Sequence, residues 1–136
     1  MIKLAGWLIV FYGSAHTLGA LFVLGAVRHA DAWFSGALWR EDLTDMSPAN
    51  SALWLSVDSF GVPLILVGLT VLWMNGRGVT PPAFIAWILL AWTVVDAVIL
   101  LFTPWPIILL AGILLVLGIR RAEHEGPMTS HVRPGR

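Results

Sequence analysis

Long apolar runs broken by one or two polar residues set the rhythm of this chain. Four of them stand out: Leu4 to Val27, Ser51 to Met74, Pro82 to Thr103, and Pro106 to Ile119. A membrane-spanning helix needs about 20 mostly apolar residues, and the first three meet that length. The fourth is only about 14 residues, or roughly 21 Å at the helical rise. It is short for a span, but it is needed to return the chain to its starting side. The first run is too long for a signal peptide and lacks a clear cleavage site, so it is expected to stay as a mature helix. The pattern predicts an all-α, polytopic four-transmembrane-helix bundle over residues 1–121. The tail after it, rich in Gly, Pro and polar residues, is expected to be disordered over 122–136.

Composition sharpens this picture. The chain is 58% hydrophobic and only 12% charged, with a mean hydropathy of +0.84. Soluble domains carry about twice that charge. Net charge is zero, so no bulk field argues for nucleic acid as a partner. The absence of cysteine excludes disulfides, thiol catalysis and Cys-based metal sites. Localisation in a cell membrane as a multi-pass protein follows.

Lys and Arg in the connections predict orientation. Lys3, Arg77, Arg120, Arg121, Arg133 and Arg136 fall on one side; Arg28 and Arg40 fall on the other, among Asp31, Glu41, Asp42 and Asp45. That bias puts both termini in the cytoplasm. Trp7 and Trp73 then sit near the inner boundary, with Trp33, Trp39, Trp54 and Trp105 near the outer one, as interfacial belts require. Trp87 and Trp92 lie deeper, where packing is the simpler explanation.

Three polar residues interrupt the apolar runs: His16 in "YGSAHTLGA", Asp58 in "SVDSFGVP" and Asp96 in "WTVVDAVIL". Measured from the outer ends of the predicted helices, His16 lies roughly 17 Å deep and each aspartate roughly 11 Å. Their similar depth on separate helices suggests one pocket. Tyr12 and His16 share a helix face at i and i+4. Trp92, Thr93 and Asp96 share another, and Trp54, Asp58, Gly61 and Val62 a third. Gly13 and Gly19 flank His16 and leave room for close helix approach or for a ligand. Pro63 removes a backbone donor and is expected to kink its helix next to the acid.

An ionisable group inside a membrane helix is costly, which makes it a functional candidate. The plain alternatives are interhelical hydrogen bonding by His16, a structural His16–Asp58 pair, and carboxylates near enough to the boundary to be wetted. A metal held by His16, Asp58 and Asp96 is chemically reasonable, but no spacing demands it. No metal and no cofactor are therefore expected. The candidate catalytic set is Asp58, Asp96 and His16. The candidate substrate-binding set is Tyr12, Trp39, Trp54, Ser59, Trp92 and Thr93.

The connection "RHADAWFSGALWREDLTDMSPAN" mixes aromatic and charged residues. It is expected to form a short amphipathic helix plus a turn, lying as an interfacial lid over the outer mouth.

The stretches "MIKLAGWLIVFYGSAHTLGAL", "SFGVPLILVGLTVLW" and "PPAFIAWILLAW" resemble a family of small four-helix bacterial integral membrane proteins of unknown function. The resemblance covers Met1 to about Arg121, and its most specific element runs from Gly13 through His16 to Gly19. It implies a fold rather than a reaction. Asp58 and Asp96 stand where the family usually has apolar residues, which hints at a specialised activity.

Two functional classes follow, with a structural or partner-binding bundle as a third. The first is an acid–base membrane enzyme acting on a lipophilic small molecule, through isomerisation, cyclisation or epoxide opening of a terpenoid- or polyketide-like substrate. Two carboxylates in a dry pocket can have their pKa values pushed apart into an acid and a base, and His16 can relay the proton. The second is a proton-coupled transporter or transporter subunit, in which the carboxylates exchange protons for substrate. The lipid bilayer is a partner in either case, and a homo-oligomer is an open alternative.

Overall fold

Helix is the only regular structure among the described residues, which in this computed structural model are 1–42, 44–100 and 103–125. The chain opens with α1 (Ile2–Leu18), which runs into a π-helical segment (Gly19–Val23). A 3-10 turn (Ala26–His29), the short α2 (Ala30–Phe34) and a second 3-10 turn (Ala37–Arg40) follow. Then come α3 (Pro48–Ser56), α4 (Gly61–Gly76), α5 (Ala83–Ile99) and α6 (Trp105–Glu125).

Three segments are long and apolar enough to cross a membrane: Ile2–Val23, Pro48–Gly76 and Trp105–His124. Between 28% and 33% of these spans is buried inside the molecule. Large apolar side chains such as Phe11, Phe22, Leu66 and Ile88 therefore point outward. Water does not tolerate so much exposed apolar surface, whereas lipid does. The chain is thus consistent with a membrane protein.

Several helix boundaries differ from the sequence expectation. α6 has 21 residues rather than the predicted 14 or so, because Arg120 to Glu125 continue it as good helix formers that an apolar count overlooks. Part of the expected disordered tail, 122–125, is thus helical, and the remainder lies outside the described residues. α5, at 17 residues, is shorter than α6. It ends at Ile99 rather than Thr103, since Pro104 has no N–H for the Leu100 carbonyl and its ring crowds that carbonyl. The second predicted span is interrupted. Regular helix is interrupted over 57–60, between α3 and α4, with Val57 itself still at helical dihedrals (φ −77°, ψ −40°).

The described chain divides into two compact units: Val10–Leu66, and Met1–Ile9 with the described residues from Val67 onward. In the second, Ala5, Val71, Ala86, Leu115 and Ile119 form the core, and α5 packs along α6. Small residues permit this. A β-carbon on Gly112 would come within 2.6 Å of the Leu90 side chain, and one on Gly6 within 2.8 Å of Leu72.

In the unit Val10–Leu66, the connection after the first span is folded and helical. Gly25 and Gly36 take positive φ of 73° and 80°, turning the chain where other residues would be strained. Trp33 donates its ring N–H to the Ala49 carbonyl at 2.8 Å, which ties α2 to the first turn of α3. That turn starts as "SPAN" predicts. The Ser47 hydroxyl accepts from the Asn50 N–H at 3.2 Å, and Pro48 occupies the first helical position.

Candidate functional site

The interruption at "SVDSFGVP" arises from two local causes. Ser56 turns its hydroxyl back onto the Ala52 carbonyl at 2.6 Å, a bond that competes with the helix backbone and bends it. Pro63 has no N–H to offer the Ser59 carbonyl. α4 therefore begins afresh at Gly61, with Pro63 inside its first turn. The Asp58 N–H reaches back five residues to the Leu53 carbonyl at 3.1 Å, a widened closing turn for α3.

Gly61 also meets α1 at very close range. A β-carbon on Gly13 would lie 2.5 Å from the Gly61 carbonyl oxygen, and one on Gly61 2.9 Å from the Gly13 oxygen and against the Thr17 hydroxyl. This approach sets His16 beside the unwound segment. His16 Nε2 and Ser59 Oγ are 2.8 Å apart in a hydrogen bond. The Phe60 ring lies on the imidazole, with centroids 4.0 Å apart, and stacks on Tyr12 at 6.2 Å. The Thr17 hydroxyl oxygen is buried and has no hydrogen-bond partner among the described residues.

On its other side His16 faces an apolar cleft. Its volume is about 360 Å³, and Ala15, His16, Gly19, Val23 and Leu55 are among its walls. The π-helical segment shapes it. Leu24 N–H bonds to the Gly19 carbonyl at 3.0 Å, five residues back. Such bulges widen a helix and recur at functional sites. A β-carbon on Gly19 would meet nothing within 4 Å. The two glycines flanking His16 thus serve different ends: Gly13 brings helices together, and Gly19 leaves space.

The candidate residues divide between the units. Tyr12, His16, Trp39, Trp54, Asp58 and Ser59 fall in Val10–Leu66. Within it His16 and Ser59 are brought into contact, and Tyr12 joins them through Phe60. Asp58 is exposed on the unwound segment next to Ser59. Trp54 and Trp39 are exposed on α3 and the second 3-10 turn, Trp39 at 88%. The expected shared face of Trp54, Asp58, Gly61 and Val62 assumed one continuous helix, whereas the helix is interrupted between Ser56 and Gly61.

Trp92, Thr93 and Asp96 belong to the other unit. Thr93 is buried and donates to the Leu89 carbonyl at 2.6 Å. The Asp96 carboxylate accepts from the Thr103 hydroxyl at 3.1 Å. Because α5 stops at Ile99, Asp96 stands in its last turn, nearer a helix end than the sequence estimate of depth.

Phe60 and Thr17 complete the His16 site and were not singled out from sequence. Both adjoin residues that were, and only the fold across Gly13 and Gly61 shows their part. No group of three or more His, Asp or Glu among the described residues could hold a metal ion.

No protein-family model, curated protein or solved structure matches this chain.

Proposed function

We propose that this protein is a small integral membrane enzyme performing acid–base chemistry on a lipophilic substrate lodged in the cleft beside His16. The observation that carries this reading is the His16–Ser59 hydrogen bond at 2.8 Å, set at the polar edge of an otherwise apolar cleft. Imidazole is the side chain best suited to give and take protons near neutral pH. Ser59 and the ring of Phe60 fix its orientation, which proton transfer requires. Asp58, next to Ser59 in the sequence, is the proposed partner acid or base. Aromatic faces at Phe60 and Tyr12 can stabilise a developing cation. Isomerisation, cyclisation or epoxide opening of a terpenoid- or polyketide-like molecule fits this equipment. Asp96, with Trp92 and Thr93, is retained as a second acid group whose contribution is tested separately.

A carrier is the second reading, favoured by the interrupted helix itself. Unwound backbone at membrane depth is tolerated where it lines a cavity, and transporters place substrate and ion sites at such breaks.

The test incubates membranes containing the full chain, or its His16→Gln variant, with polyprenyl epoxides and follows products by mass spectrometry. Conversion that requires His16 supports the enzyme. Unchanged substrate, together with substrate-driven proton uptake in sealed proteoliposomes, supports the carrier.

A further inference from the structure

We propose that a second cavity, in the unit that holds α5 and α6, binds a phosphate group carried on an anionic phospholipid. It is an open surface pocket of about 230 Å³, lined by Met1, Ile2, Asn75, Gly118, Arg121 and Ala122. It is separate from the His16 cleft in residues and in chemistry. Its polar side chains are Asn75 near the end of α4 and Arg121 near the end of α6.

The guanidinium fork matches the geometry of phosphate oxygens and bonds them in pairs. The Asn75 amide supplies two further donors. Gly118 shapes one side of this open pocket. A β-carbon there would lie 2.6 Å from the Ile2 side chain and 3.0 Å from its backbone nitrogen, so only glycine lets Ile2 close one wall of the cavity against α6.

Position identifies the carrier of the phosphate. The cavity lies where the apolar span Trp105–His124 turns polar at Arg120 and Arg121. Just after α4 the Arg77 guanidinium lies 5.1 Å from the centre of the Trp73 ring, an aromatic and a cation paired as at a membrane–water boundary. Lys3, Arg77 and Arg120 add positive charge of the kind that draws anionic lipid. Inorganic phosphate offers the same oxygens without the acyl chains, so the experiment separates the two sources.

The test is native mass spectrometry of the full chain in detergent, titrated with dioleoylphosphatidylglycerol, with dioleoylphosphatidylcholine, and with the first lipid plus inorganic phosphate. The phosphatidylglycerol complex should be preferred. Arg121→Gln should cut that preference about tenfold, the usual worth of a charge-assisted hydrogen bond, and Asn75→Leu should weaken it less. Arg120→Gln, a neighbouring charge that does not line the cavity, should leave it within about twofold. Competition by phosphate would show that the site reads the free anion as well; failure to compete, with Arg121 still required, would assign it to the lipid. Retained preference in Arg121→Gln, or equal loss in Arg120→Gln, overturns the proposal.

Discussion

Gly13 and Gly61 face each other with no room for a side chain on either. The missing β-carbon of Gly13 would stand 2.5 Å from the Gly61 carbonyl oxygen, and that of Gly61 2.9 Å from the Gly13 oxygen. Backbone oxygen crowds both positions, with the Thr17 hydroxyl also pressing on Gly61, so neither helix can yield locally. Gly13→Ala and Gly61→Ala should each destabilise the fold by about 1–3 kcal/mol, the usual cost of overpacking. Gly19→Ala, facing open space, should stay within about 0.5 kcal/mol. Reversible unfolding in mixed detergent micelles measures all three. Equal losses at Gly13 and Gly19 would contradict the assigned contact.

The helix interruption has its own test. Pro63→Ala restores an N–H that can reach the Ser59 carbonyl and so close the turn across the break. Amide exchange over 57–61 should slow in this variant. Exchange unchanged from the parent would mean that Ser56 and Gly61 suffice to hold the break open.

These two features mark the limit of what the residue pattern reveals. Apolar runs announce helices of membrane length, and "SPAN" announces a helix start, because length and capping are local properties. A hydropathy count passes straight through Val57 to Phe60, since the residues on both sides are apolar and two aspartate or serine positions do not end a run. The pattern suggests a kink at Pro63 but not the loss of a whole turn. Phe60 looks like one more lipid-facing aromatic until the Gly13–Gly61 crossing lays it on His16. Asp96 looks deep because Pro104 ends α5 earlier than the apolar run does.

Two acids in the connection respond to pH. The Ser47 hydroxyl beside Glu41 holds its carboxyl below the usual carboxylate range. The Thr44 N–H and hydroxyl do the same for Asp42, with bonds of 2.9 Å and 2.8 Å to its Oδ1. A folded-state pKa below the unfolded one adds stability that is complete above the unfolded value, about 4, and is lost as pH falls through the folded value. Exchange of the Thr44 amide, corrected for its intrinsic pH dependence, should show protection that is flat above pH 5 and falls below pH 4. Asp42→Asn should abolish that fall. Protection that persists unchanged to pH 2 would remove the assigned carboxylate contact.

The central claim is that His16 and Asp58 carry acid–base chemistry at the apolar cleft. The most direct measurement is turnover of a converted polyprenyl epoxide by full-length His16→Gln, Asp58→Asn, Asp96→Asn and Ser59→Ala variants in membranes, with unfolding followed in parallel. The account predicts losses on the order of a hundredfold or more for His16→Gln and Asp58→Asn. It predicts a smaller loss for Ser59→Ala, which disturbs the orientation of the imidazole but leaves its proton in place. Asp96→Asn reports whether the second carboxylate takes part. Full turnover in folded His16→Gln and Asp58→Asn would contradict the account.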